Sequence, residues 1–278
     1  MIIPKFIKKI VYKNKILFKI LKLYWLILYF SKIIYDAQNF YLLTKSQNHN
    51  KEAESLKDLI PFVKNKNFIE IGFHFRQFNT VDLIKDNFQG KLIDTSKYDF
   101  FNLFLTKFII KRILKRNIEV IDCFVKPDNV LDNFDKKNIS YLSIDIDSND
   151  YWVLNKILEE KYYPEVIILE YNASFLKNSI TIPYIENFNL YKYHQSHCYY
   201  GASLTAFDKL LSNHNYNLVE TIAGVNAIFV NNEIFKRINK LKLSPLNIDQ
   251  ECESKNRILK NSSKEQYEMI KHLPFIKV

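Results

Sequence analysis

The segment Leu142–Trp152 (LSIDIDSNDYW) has the residue types and spacing that best suit a catalytic or binding site, because it is rich in carboxylates. Asp145 and Asp147 follow an apolar run that predicts a short buried strand. On an extended strand they would share one face with Ser143 and lie about 6.5–7 Å apart along the strand axis. Paired carboxylates suit general acid–base chemistry, and open α/β sheets bind their ligands at the carboxyl ends of buried strands. The segment therefore predicts a functional site.

Polar side chains also end the other predicted strands. Apolar runs predict strands near residues 67–72, 90–94, 118–122 and 165–172, with helical segments between them. This alternation predicts an α/β fold with a doubly wound, mainly parallel sheet that is covered on both faces. The carboxyl ends of parallel strands lie along one edge, so their polar residues should line one crevice. Those residues are Glu70, Gly72, Asp94, Asp122, Asp145, Asp147, Glu170 and Asn172.

The elements that close the domain are also marked in the sequence. Gly201–Leu204 begins a predicted helix that runs to about His214, with Ser203 as its N-cap. Two strands, 216–220 and 226–230, predict a hairpin around Gly224. We therefore expect a helical extension over residues 1–50, a Rossmann-like domain over 51–235 and a tail over 236–278. The tail shows no clear pattern.

Composition limits the class of protein. A chain of 278 residues accommodates one domain of about 180–200 residues with extensions. A hydrophobic content of 47% excludes a largely disordered protein. The cysteines, Cys123, Cys198 and Cys252, are widely spaced and odd in number, which argues against a disulfide framework or a zinc site. This usage fits a reducing compartment, and we expect a cytoplasmic location.

The net charge of +10 is concentrated near the N-terminus. Residues 1–32 contain eight lysines and no acid, whereas the other 246 residues hold 32 basic and 30 acidic side chains. The apolar run over 23–30 is too short to span a bilayer, which needs about 20 residues. Residues 1–34 predict either an interfacial helix on anionic lipid at the inner face of the membrane, with Tyr24 and Trp25 at headgroup depth, or a helix that packs on the main domain. Nucleic-acid binding is not expected, because no recognition motif accompanies the lysines.

The order of the motifs resembles that of the class I S-adenosylmethionine-dependent methyltransferases. Within that class it is most similar to bacterial Rossmann-like members near the FkbM type, often linked to surface-glycan or secondary-metabolite modification. The resemblance covers roughly residues 65–232. The motifs are FIEIG (68–72), NT (79–80), LID (92–94), LSIDIDSNDYW (142–152), VIILEYNA (166–173), YGASL (200–204) and VNAIFV (225–230). It implies S-adenosylmethionine as the cofactor and O-methylation of a glycan or small metabolite.

The resemblance also implies roles for single residues. Glu70 and Gly72 would hold the methionine part of the cofactor, and Asp94 would accept hydrogen bonds from both ribose hydroxyls. Asp122 is grouped with these cofactor-binding residues. Methyl transfer requires an aligned nucleophile and removal of its proton. The residues assigned to catalysis are Asp145, Asp147 and Glu170.

A divalent cation held by these three acids is an alternative, since oxygen ligands favour Mg²⁺, Ca²⁺ or Mn²⁺. The acids can equally hydrogen-bond to loop backbone and to Asn149 or Asn172. We adopt the second interpretation and assign no metal ligand.

An aromatic segment between Pro183 and Gly201 is expected to lie over the crevice, where Asn172, His194 and His197 would bind the substrate. The alternative is a packed aromatic loop. The loop after Gly72, Phe73–Phe78 (FHFRQF), is bulkier than in the resembled family and could narrow the cofactor pocket. A second hypothesis is therefore a Rossmann-like accessory protein that has lost the cofactor. The sequence does not indicate the oligomeric state.

Overall fold

The structure, a computed structural model, describes residues 23, 24, 28, 31, 56–74, 78–97, 100–135, 138–238 and 261–278. The chain forms two compact units, Met1–Gln47 and Asn48–Val278. In the first unit the four described residues are helical. The interfacial position predicted for Trp25 lies outside the described residues. No helix among the described residues is long and apolar enough to cross a membrane.

Strands and helices alternate along the second unit. The strands are β1 (Asn67–Ile71), β2 (Gln89–Asp94), β3 (Ile118–Asp122), β4 (Tyr141–Ile144), β5 (Val166–Glu170), β6 (Ile180–Thr181), β7 (Tyr216–Ile222), β8 (Asn226–Asn231) and β9 (Ile276–Lys277). The helices are α1 (Val81–Lys85), α2 (Phe100–Phe108), α3 (Asp150–Glu159), α4 (Leu190–Tyr193), α5 (Leu204–Ser212), α6 (Asn232–Ile238) and α7 (Ser263–Ile270). Helix α2 continues as a π-helical segment over Ile109–Leu114.

The main sheet has the strand order β3-β2-β1-β4-β5-β8-β7. Strands β1 to β5 pair in parallel, whereas β8 runs antiparallel to both β5 and β7. The predicted doubly wound, mainly parallel sheet is confirmed, and the arrangement is Rossmann-like. The chain builds outward from β1 to β3 and then places β4 on the other side of β1. The order therefore reverses between β1 and β4, which is where such sheets bind ligands.

Local sequence signals account for the closing elements. Ser203 caps α5, since its hydroxyl accepts a hydrogen bond from the Ala206 amide at 3.0 Å. The β7–β8 hairpin turns through Ala223 and Gly224, whose φ angles are +55° and +66°. Two successive positive φ angles match the twist of antiparallel strands and favour glycine. Both the cap and the hairpin were predicted correctly.

Strand β4 is shorter than the acidic segment suggested. It ends at Ile144, so the prediction that Asp145 and Asp147 lie on one face of an extended strand is wrong. Two causes are visible: Asp147 adopts a left-handed φ of +51°, and the Asp150 carboxylate accepts hydrogen bonds from the Ile146 and Ser148 amides. The chain therefore folds into a compact loop before α3.

The C-terminal residues 261–278 belong to the second unit. Ser262 and Glu265 form a reciprocal capping box at the start of α7. Strand β9 pairs with β6, and the buried Gln266 accepts a hydrogen bond of 2.6 Å from Ser174. The Ser174–Gln266 bond joins residues 92 positions apart, a contact that no local pattern could indicate, whereas the capping box is a local signal that sequence analysis missed.

Candidate functional site

A cavity of about 450 Å³ lies at the carboxyl edge of the sheet, where the strand order reverses. Its volume falls within the range of about 300–1,000 Å³ that is typical of small-molecule sites. Most of the predicted site residues line it. These are Glu70, Gly72, Asp94, Asp145, Asp147 and Glu170.

Gly72 joins two walls of this crevice. Its φ is +79°, and a Cβ at this position would lie 1.7 Å from the Asp145 carbonyl oxygen. The Gly72 amide donates a 2.9 Å hydrogen bond to the Ile93 carbonyl, and the Asp145 amide donates one of 2.8 Å to the Ile71 carbonyl. Only glycine allows the backbone after β1 to approach the backbone after β4 this closely.

Glu70 fixes the start of α1 beneath the crevice. Its buried carboxylate accepts hydrogen bonds from the Asn79 and Thr80 amides, at 2.8 and 3.1 Å, and from the Thr80 hydroxyl. Burial raises the pKa of Glu70 from 4.5 to about 7, against the opposing effect of these donors. The carboxylate therefore orders the segment that follows the first loop, in addition to lining the cavity.

Asp94 ends β2 and is oriented by a residue that sequence reasoning missed. The Asn102 amide donates to the Asp94 carboxylate at 2.9 Å and to the Phe73 carbonyl at 2.7 Å. The Thr95 amide donates to the other Asp94 oxygen at 2.7 Å. Asn102 is buried on α2 among Leu103, Leu105 and Thr106. A polar side chain on the apolar face of a helix was the available signal.

Three carboxylates converge on the opposite wall. Asp145, Asp147 and Glu170 each offer one oxygen, and these oxygens lie within 4.8 Å of one another. Oxygens that share one Ca²⁺ at 2.3–2.6 Å are separated by at most about 5 Å. The geometry is therefore compatible with a divalent cation, and among the described residues these three could hold it.

Asp150, which was not among the predicted site residues, shapes the loop that carries two of these acids. It is buried, and its carboxylate oxygens accept hydrogen bonds from the Ile146 and Ser148 amides at 2.9 Å each. Burial, supplemented by the nearby Asp147 charge, raises the pKa of Asp150 from 3.8 to about 6. The position of Asp150 at the beginning of α3, just after Asp147, was the only sequence signal for this role.

Two predicted site residues lie outside the cavity lining. Asp122 pairs in register with Asp94 but is exposed, and hydrogen bonds from Ser96 lower its pKa. Asn172 is buried, with its amide donating to the Cys198 and Tyr200 carbonyls at 2.8 and 3.0 Å. The cofactor role of Asp122 and the substrate role of Asn172 stay predictions.

The histidines of the aromatic segment also lie outside the cavity lining. The His194 ring bonds to the Ser196 hydroxyl at 2.7 Å, and the His197 ring contacts Tyr191. Around them, Tyr193 stacks on Tyr199 with centroids 4.9 Å apart. This geometry fits the alternative of a packed aromatic loop, and a substrate role for the two histidines stays a prediction.

The described part of the bulky loop leaves the cavity open. Phe78 is fully buried, with its ring 5.5 Å from that of Phe73, whereas Phe73 and His74 line the cavity. Residues 75–77 lie outside the described residues. Large side chains after Gly72 are thus compatible with a pocket of ordinary ligand size.

The charge of the crevice contrasts with that of the whole chain. Five carboxylates line it, and among the described lining residues there is neither a lysine nor an arginine. The chain as a whole carries a net charge of +10. Negative potential is therefore focused at the carboxyl edge of the sheet.

No protein-family model and no curated protein matches the sequence. Among solved structures, the fold is similar to an O-methyltransferase from Bacillus cereus in complex with SAH, with TM-score 0.42 and 15% identity over 70% of this chain and 90% of that one. It is also similar to the SAH-bound Podospora anserina methyltransferase PaMTH1, with TM-score 0.44 and 10% identity over 70% and 87%. A putative O-methyltransferase from Klebsiella pneumoniae gives TM-score 0.42 and 10% identity over 72% and 89%.

Proposed function

We propose that this protein is an S-adenosylmethionine-dependent methyltransferase that acts on a hydroxyl group of a small metabolite or glycan. The observation that carries the proposal is the acidic crevice at the strand-order reversal, with Asp94 at the end of β2. Such a crevice is the usual ligand site of a doubly wound sheet.

The charge of the crevice favours a cationic nucleoside over a dinucleotide. S-adenosylmethionine carries a sulfonium and an ammonium group, which carboxylates attract. A dinucleotide pyrophosphate instead needs a glycine-rich turn and donors of positive character. The loop here has one glycine, Gly72, followed by Phe73. The lining carboxylates of Asp94, Asp145 and Asp147 would repel a pyrophosphate.

The residues present fit the proposed cofactor. A carboxylate has about four acceptor positions, so Asp94 can accept ribose hydroxyls while it holds Thr95 and Asn102. Phe73 and Phe124 supply apolar wall next to Asp94. The backbone at Gly72 provides close approach without a side chain.

When bound, the cofactor supplies an electrophilic methyl group. The contribution of the chain is to orient the acceptor hydroxyl and to take its proton. Asp145 and Asp147 are the proposed bases, since their carboxylates meet Glu170 on the wall opposite Asp94.

Calorimetric titration of the full chain with S-adenosylhomocysteine tests the proposal. We expect a measurable binding isotherm and a reduction of at least about 30-fold in affinity for Asp94→Ala, equal to about 2 kcal/mol. Glu119→Ala is the matched control, because its carboxylate is exposed on β3 and lies outside the cavity lining; we expect a change of less than about threefold. Absence of heat and of a thermal shift at millimolar ligand would instead support the accessory protein without cofactor.

A cytoplasmic location and membrane contact through residues 1–34 stay part of this proposal as predictions. Pelleting of the full chain with anionic vesicles, compared with a chain that lacks residues 1–34, measures that contact. Equal pelleting would remove this segment as the anchor.

A further inference from the structure

Helix α2 and its π-helical continuation expose an unusual set of side chains. Every described side chain in this helix that is exposed is a phenylalanine, a lysine or an arginine. We call this surface the Phe–Lys face; it consists of Phe100, Phe101, Phe104, Lys107, Phe108, Lys111, Arg112 and, just after the helix, Lys115. The other side of the helix is buried in the domain, through Asn102, Leu103, Leu105, Thr106, Ile109 and Ile110.

The four phenylalanines are too exposed to be core residues. Their exposed fractions are 62% for Phe100, 53% for Phe101, 51% for Phe104 and 46% for Phe108. The ring of Phe100 stacks on that of Phe104, with centroids 6.3 Å apart, and meets that of Phe101 edge-on. A contiguous exposed apolar patch of this kind marks a binding surface.

The charge around the rings limits what can cover them. The segment 100–116 contains five basic residues and no acid. A second copy of the same face would bring two basic helices together. This occupant is therefore disfavoured by like-charge repulsion. A partner for this face should be negatively charged and able to accept aromatic rings.

We propose that the Phe–Lys face docks on an anionic lipid surface. Helices that lie in the membrane interface combine an aromatic apolar face with flanking lysine and arginine, as here. Each basic residue near an anionic leaflet adds favourable electrostatic energy, and the rings enter the boundary between headgroups and acyl chains. Single-stranded nucleic acid also prefers aromatic and basic residues, but such sites are grooves, whereas this face is a convex helix.

This surface differs from the N-terminal segment for which membrane contact was predicted, and it lies close to the crevice. Asn102, on the buried side of the same helix, holds both Asp94 and the Phe73 carbonyl. The face and the crevice wall are thus separated by one helix, about 10 Å thick. Docking of this face would place the crevice at the membrane surface, whichever ligand the crevice binds.

The test is pelleting of the full chain with phosphatidylcholine vesicles. One set of vesicles contains about 30% phosphatidylserine as the anionic probe, and the other contains none. We expect the variants Phe101→Gln/Phe104→Gln and Lys107→Gln/Lys111→Gln each to lose about 10-fold or more in partitioning to the anionic vesicles. The matched controls are Tyr163→Gln/Tyr191→Gln and Lys209→Gln/Lys264→Gln, which remove exposed rings and charges elsewhere on the domain. They should change partitioning less than about twofold.

Three results would overturn the inference. The first is undiminished pelleting of both the phenylalanine variant and the lysine variant, or pelleting of the unchanged protein that is equal with and without phosphatidylserine. The second is binding of a labelled single-stranded oligonucleotide through this face without lipid binding. The third is self-association that the phenylalanine variant abolishes. Thermal melts and S-adenosylhomocysteine titrations of the variants show separately whether folding and the proposed cofactor site are intact.

Discussion

The two walls of the crevice use the same residue type in different ways. On the β1–β2 wall, Glu70 and Asp94 are held by backbone and amide donors that come from α2 and from the loops before α1 and α2. On the β4–β5 wall, Asp145, Asp147 and Glu170 face one another at short distance. The first wall uses its carboxylates to order the chain, and the second brings three carboxylate oxygens within 4.8 Å of one another. A carboxylate at a strand end therefore does not by itself indicate catalysis, because its surroundings decide its role.

The largest expected effect comes from breaking the contact between the two walls. In Gly72→Ala the new Cβ would meet the Asp145 carbonyl at 1.7 Å, and the backbone would keep a φ of +79°. We expect a loss of at least about 4 kcal/mol in the free energy of unfolding, measured by urea denaturation. Gly201→Ala is the matched control, since its φ is +61° but its Cβ would have 4.0 Å to the Asp150 carboxylate. It should cost only about 1–2 kcal/mol, and an equal loss in both variants would show that the close approach is not the cause.

A second prediction concerns the pH dependence that the β1–β2 wall imposes. Because the pKa of Glu70 is raised from 4.5 to about 7, the folded protein retains a proton that the unfolded chain has released between these values. Its contribution to stability is complete below pH 4.5 and is lost as the pH rises through 7. The full loss is on the order of 3 kcal/mol.

Glu70→Gln should remove most of the decrease in stability between pH 6 and 8. Asp150, with its pKa near 6, accounts for a loss at lower pH and remains in this variant. Urea unfolding at several pH values measures the difference, with Glu119→Gln on the surface as the control. A slope between pH 6 and 8 that is unchanged in Glu70→Gln would contradict the assignment.

The smallest expected effect is a gain in stability, and it concerns a residue of the β4–β5 wall. Asp147→Asn removes one of three adjacent charges and places asparagine, which tolerates left-handed backbone, at a φ of +51°. We expect a gain of about 0.5–1 kcal/mol in stability at pH 8, reduced in 1 M salt because screening weakens the repulsion. Asp145→Asn should show the charge effect without the backbone effect. A loss of more than about 1 kcal/mol in Asp147→Asn would mean that this wall is as structural as the other.

Sequence patterns predicted the positions of the strands and turns better than the contacts that the site residues make. The apolar runs located β1, β2, β3 and β5 to within a residue or two, and Gly224 located the hairpin. Such signals are local, because a strand needs a run of apolar residues and a tight turn needs positive φ angles. The π-helical segment after α2 carried no local signal.

The partners of the site residues come from distant parts of the chain. Asn102 bonds to the Phe73 carbonyl 29 residues away, and Asn79 donates to the Ser143 hydroxyl 64 residues away. Similarly, Asp145 and Asp147 were expected on an extended strand, whereas a buried Asp150 folds their loop. No period in the sequence encodes such contacts, so they could not be predicted from it.

The sequence by itself determined that this chain forms a doubly wound sheet whose strands end in carboxylates. Hydrophobic periodicity and turn residues act within a few positions, and parallel pairing then brings those ends to one edge. Only the tertiary structure decided which carboxylates order the backbone and which cluster in the crevice. That distinction depends on burial and on donors supplied by other elements, which arise when the sheet and helices pack together.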